Sequence, residues 1–228
     1  MSEELGKISK PQADNVQLKR KLYLVQNIQN YFPDNSEFEV LLNEYWESIS
    51  EQLDNLEKTA GRINKIYVEG IYQDYDIASK LLEENNKWCL NTISSRIKSG
   101  SEFGKIEDEN NYKELIDWTR IAQMGFVSEN VKEITEKNYT EIINSRTKII
   151  QDEIDTLKDG EAALFLISSG SHKFPEDVEI FNVIPPSLDK MNRWITENQK
   201  TNNETNEQQN NINQNEGDEN NKSNLWTP

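Results

Sequence analysis

Residues 162–167 read AALFLI and residues 178–184 read VEIFNVI, with SSGSHKFPED between them. Apolar runs this short, bounded by turn residues, are how strands buried on both faces read. Pro185-Pro186 stop the second run, and Ser187 is placed to cap a short helix carrying Leu188, Met191 and Trp194. Upstream, Ile66-Tyr67-Val68 lies between Gly61 and Gly70 and reads as a third short strand. Long amphipathic stretches separate these strands. Behind a Ser36–Glu39 capping box, Phe38, Leu41, Leu42, Tyr45, Trp46, Ile49, Leu53 and Leu56 recur at helical spacing until Gly61. A second helix is predicted over 76–98, with Ile77, Leu81, Trp88, Ile93 and Ile97 inward, and a third near 112–124. Ser128 is placed to cap a fourth, along which Val131, Ile134, Ile142, Ile149, Ile150, Ile154 and Leu157 run on one side to Gly160. Residues 101–110 read as a loop or a brief edge strand. Around Leu22-Tyr23-Leu24-Val25 both a strand and a helix fit, and periodicity does not choose.

Short apolar strands alternating with long amphipathic helices predict an α/β fold: one helix-rich domain, roughly 16–197, with a small, mostly parallel sheet covered by helices. Residues 1–15 are polar and expected to be flexible. Residues 198–228 contain 11 Asn and 4 Gln, too few apolar groups to offset chain ordering, so a disordered tail is expected there. Leu225-Trp226 are the only large apolar residues after Ile212, which makes that pair the candidate partner-binding element.

The 228 residues carry a net charge of −16, of which the tail supplies −3. An acidic body argues against a nucleic-acid partner, because phosphate backbones are gripped by Lys and Arg. It argues equally against an anionic membrane surface. One Cys and one His leave too few soft ligands for a zinc module. With no apolar run long enough for a span and no basic, apolar leader after Met1, the expected location is the cytoplasm. Composition says nothing of oligomeric state and names no cofactor.

His172, the only histidine, lies in the Ser168–Ser171 loop directly after the AALFLI strand. Ligands of open α/β sheets bind beyond the carboxyl ends of strands, so Ser169, Gly170 and Ser171 form the candidate ligand-binding loop. Glu69 follows Ile66-Tyr67-Val68 and stands at a second strand end. A carboxyl beside buried apolar groups has a raised pKa, suited to acid/base work. Arg146 lies four residues from Ile142 and from Ile150, on the apolar stripe of the fourth helix. An arginine there needs a buried carboxylate or an anionic ligand, and Glu69 is the leading candidate. Each residue also has a plainer reading: a surface turn for His172, a solvated strand end for Glu69, a snorkelling side chain for Arg146. Glu107, Asp108 and Glu109 offer hard oxygen ligands, but acids are favoured just before a helix without any metal. Residues 100–105 (GSEFGK) lack the spacing and the hydroxyl of a phosphate loop. Ser171 is followed by Pro175 rather than a helix and is not a nucleophile elbow. Cys89 reads as a core thiol.

Glu69 in YVEG, Arg146 in NSRTK, and Gly170 and His172 in LFLISSGSH together resemble the later part of the TraB/ChaN/erythromycin-esterase-like superfamily, over roughly residues 63–175. The resemblance implies one cleft bordered by an acid, an Arg-bearing helix and a Gly-x-His loop. Its members include metal-dependent proteases, esterases and haem-binding proteins. The chain departs from that pattern twice. VQNIQNY holds no counterpart of the family's early Gly-Thr-x-His, and Ser145 stands where a Glu precedes the helix Arg. With one of two histidines missing, the family's metal binding and catalysis do not follow from the resemblance.

Two functions are therefore carried forward. One is a soluble binding or adaptor protein that presents Leu225 and Trp226 to a protein partner. The other is a hydrolase-like or small-ligand pocket built from Glu69, Arg146 and His172. Geometry separates them: side chains more than ~10 Å apart cannot converge on one substrate.

Overall fold

In the computed structural model, which describes residues 19–168 and 172–198, the ambiguous run around Leu22 is a strand, β1 (Lys21–Gln26). It is followed by α1 (Ser36–Thr59), β2 (Ile63–Val68), α2 (Tyr75–Asn85), α3 (Lys87–Lys98) and the short β3 (Glu102–Phe103). Next come α4 (Glu109–Gln123), α5 (Glu129–Ile154), β4 (Ala162–Ile167) and β5 (Glu179–Val183), and a closing helix, α6, over residues 186–198. The five strands form one sheet in the order β3-β2-β4-β1-β5, and every pair is parallel. The expected α/β architecture is the observed one. No helix among the described residues is long and apolar enough to cross a membrane. Residues 1–15 and 199–228, with Leu225 and Trp226, lie outside the described residues, as do Ser169, Gly170 and Ser171.

Alternation along β4 divides the core. Ala162, Leu164 and Leu166 face a layer made by α1, α2, α3 and α6, while Ala163 and Phe165 face the last turns of α5 with Ile106, Leu157 and Val178. With both faces covered, a β4 of unbroken apolar residues is what the environment requires. Helix α1 supplies much of the first layer. Its Phe38, Leu42, Tyr45, Trp46, Ile49 and Leu53 are all buried, and two of them also pair carbonyls at and just after the end of β1. Tyr45 Oη donates to Gln26 O (2.6 Å) and Trp46 Nε1 donates to Ile28 O (3.1 Å).

Several local expectations are corrected. Asn35, not Ser36, caps α1, its side chain accepting from Phe38 N at 2.9 Å. The helix expected over 76–98 is two helices broken at Asn86, whose φ of −153° and ψ of 72° leave helical space. The break moves the buried face of α2 onto Ala78 and Leu82, and Ile77 and Leu81 are exposed. Val131 and Ile134 are exposed too: the α5 residues buried against the sheet, Ile150 and Ile154, lie in its last turns, and the helix otherwise packs on α4. Pro186 rather than Ser187 opens α6, where proline's missing N–H costs nothing.

Asn86 breaks the helix because its side chain is worth more elsewhere. It is buried, Nδ2 donates to Asn27 Oδ1 (2.9 Å) and Ile28 O (3.1 Å), and Oδ1 accepts from Cys89 N (3.2 Å) to cap α3. Asn86→Ala removes the cap on Cys89 N and leaves Asn27 Oδ1 unpaired, while Ile28 O keeps Trp46 Nε1, so a loss of about 2–4 kcal/mol is expected. Urea midpoints at unchanged m-value measure it, and a loss below about 0.5 kcal/mol would refute the account.

Candidate functional site

The chain leaves β2 and β4 in opposite directions. After β2 it runs to α2 on the first face of the sheet, and beyond β4 Phe174 packs on the second. Neighbouring parallel strands whose chains diverge open a crevice at their carboxyl ends. Glu69 stands at that edge.

Arg146 reaches it from α5. Its Nη2 donates to Glu69 Oε1 at 2.7 Å and also to Glu107 Oε1, while Nε donates to Glu107 Oε2 at 2.9 Å. The Glu107 pair is a two-pronged fork of the kind that planar guanidinium makes best. Glu107 also accepts from Gly70 N at 3.1 Å. Gly70 has a φ of +83°, and a Cβ there would stand 2.7 Å from the Tyr112 hydroxyl, so no other residue fits this turn without displacing Tyr112. The Tyr112 ring lies beside the guanidinium, its centroid 6.0 Å from Arg146 Cζ. One residue before Tyr112 and one before Arg146, Asn111 Nδ2 donates to Ser145 Oγ at 2.8 Å. Ser145, the residue at which the family pattern fails, thus ties α5 to α4.

His172 completes the cluster from the other side. Its Nε2 is 3.2 Å from Glu69 Oε1, within ion-pair range but off the line of a hydrogen bond, so the atom is buried without a hydrogen-bond partner among the described residues. Phe165 and Phe174 flank the imidazole with ring centroids 5.4 and 6.0 Å away. The backbone amide of Ser168 donates to Glu69 Oε2.

These contacts reverse one expectation. Burial pushes the Glu69 carboxyl up, but His172, the Ser168 amide and Arg146 together outweigh it and hold the group down at about 2. Glu69 is a fixed carboxylate rather than a poised acid. Burial likewise disfavours the Arg146 cation, yet Glu107 and Glu69 raise its pKa above the ordinary arginine value. Two carboxylates around one guanidinium leave a formal charge of −1 at the floor.

The three residues singled out in the sequence therefore meet: Arg146 touches Glu69, and Glu69 lies against His172. Glu107 was missed as a partner. The signal was present, an acid beside Ile106 at a sheet edge, but three consecutive acids before a helix read as a solvated N-terminus. In fact they divide the work. Glu107 is buried against Arg146, Asp108 caps α4 by accepting from Asn111 N (2.9 Å), and Glu109 pairs with Lys113 (2.6 Å). No group of three or more His, Cys, Asp or Glu among the described residues is arranged to hold a metal ion.

A cleft of about 290 Å³ opens above Glu69, Arg146 and Ser168, walled by Tyr112, Leu115 and Ile116 of α4. Compared with models of protein families, with curated proteins and with solved structures, the chain matches none.

Proposed function

We propose that this chain is a hydrolase-like, small-ligand-binding domain that works in the cleft between the carboxyl ends of β2 and β4. The observation that carries the reading is convergence: Glu69, Arg146 and His172, drawn from a strand end, a helix and a second strand-end loop, meet within 3.2 Å. Glu69 Oε1 lies 3.2 Å from Nε2, so a ring proton on that nitrogen is the tautomer the carboxylate favours, with Nδ1 left as an acceptor. His172 then serves as a general base. Nδ1 takes a proton from water as its oxygen attacks an ester or amide carbonyl, and the same proton passes to the leaving group as the acyl bond breaks. Glu69 orients the ring. Arg146, saturated by two carboxylates, is a positioning residue that holds Glu69 and Glu107. The resemblance to the TraB/ChaN/erythromycin-esterase-like superfamily rests on these residues and is part of the same proposal. The adaptor reading rests on Leu225 and Trp226, outside the described residues, and no geometry favours it.

His172→Gln tests the proposal. With p-nitrophenyl acetate as probe, turnover should fall by about 10²-fold or more while the urea midpoint holds. Equal rates from the wild-type and variant proteins would sink it.

A further inference from the structure

The cleft's wall and rim say what it accepts. Along α4, Tyr112, Ile116 and Arg120 recur every fourth residue and share one face, with Leu115 and Thr119 beside them. From Tyr112, next to the charged floor, to Arg120 at the mouth the helix rises about 12 Å. Leu115 and Ile116 are half-buried, belong to neither core cluster and line the cleft. Among the described residues Arg120 has one loose tie: Nη1 is 3.5 Å from Asp117 Oδ1, one turn away on the same helix, and both side chains are more than 70% exposed. A pair so exposed is readily exchanged for another anion. The floor, with Glu69 and Glu107 against Arg146, carries excess negative charge and repels one.

We propose, resting on the hydrolase-like reading above, that the cleft takes amphipathic ligands with a single anionic head: the head pairs with Arg120 at the mouth, an apolar chain lies along Leu115 and Ile116, and the reactive end faces Glu69 and Ser168. The substrate class is an ester or amide whose carboxylate terminus is separated from the scissile carbonyl by about 12 Å of apolar chain, the spacing along the helix. Reversed, the ligand would place its charge against the two carboxylates. A cationic amphiphile would meet Arg120 in this orientation, and in the reverse one it would face carboxylates already paired with Arg146 and 7% and 1% exposed.

Displacement of anilinonaphthalene sulfonate, a fluorescent anion with an apolar body, tests this on the full chain. Octanoate should displace the dye from the wild-type protein, and octylamine, a cation at neutral pH, should not. In Arg120→Gln, exposed and therefore neutral for folding, octanoate should compete roughly tenfold less well. Ile116→Ser should weaken octanoate as well. Octanoate competing equally in Arg120→Gln, or octylamine competing as well as octanoate, would overturn the inference. The outcome is separable from that of turnover. Arg120-dependent octanoate binding without p-nitrophenyl acetate hydrolysis would retain the ligand class and remove the chemistry. Hydrolysis with octanoate indifferent to Arg120 would do the reverse.

Discussion

Arg146→Ala is expected to lower folding stability by about 3–5 kcal/mol, because it strands two buried carboxylates at once. Glu69 and Glu107 have side chains 7% and 1% exposed, so water cannot replace the guanidinium without opening the site. Contrast the exposed Lys113–Glu109 pair on α4, whose loss should cost under about 1 kcal/mol. The origin of the penalty can be isolated. Adding Glu107→Gln to Arg146→Ala neutralises one stranded charge, and the double variant should recover about 1–2 kcal/mol relative to additivity. Urea denaturation of the four proteins measures the cycle. A single-variant loss below about 1 kcal/mol would mean that the carboxylates rehydrate in place.

Acid should expose the second large effect. The Glu69 carboxyl titrates near 2 in the folded protein against an ordinary value of 4.5. A depressed carboxyl contributes its full stabilisation above its unfolded value and loses it as pH falls through the folded one. The difference corresponds to about 3 kcal/mol, intact at neutral pH and drained between pH 4.5 and about 2. Other carboxyls titrate in the same window, so the diagnostic quantity is the difference between the wild-type protein and Glu69→Gln. That gap should be widest above pH 4.5 and close as pH approaches 2. A gap that stays constant with pH would show that the ionised form of Glu69 has no special hold on the fold.

Much of the architecture was legible because its signals are local. The AALFLI run, Ile66-Tyr67-Val68 and the α1 stripe each carry their own periodicity, and strands alternating with helices limit the sheet to a parallel design. What failed depended on contacts between distant residues. Asn86 looks like one more helical position until Asn27 and the Ile28 carbonyl are brought to it. Once the helix breaks there, the phase inferred for Ile77 and Leu81 no longer connects to that of Ile93. For β1, burial on both faces erased the alternation that separates a strand from a helix. The site divides along the same line. Its three members could be picked out by position, but the direction of the Glu69 shift could not, since a lone acid beside apolar residues reads as raised. Only the joint presence of Arg146, His172 and the Ser168 amide reverses it.

The position of β4 has a consequence for how the molecule is made. Strands β1 and β2 never pair with each other; β4 lies between them and hydrogen-bonds to both. On the ribosome, β1 therefore waits for some 140 further residues before its central partner exists, on the order of ten seconds at ordinary elongation rates. Through that interval β1 has no strand to pair with and β2 has only the two-residue β3, and closing the sheet requires contacts between residues very distant in sequence. The AALFLI segment thus acts as a late keystone. A nascent chain halted before Ala162 should display unpaired strand edges and uncovered helix faces, the surfaces on which chaperones act.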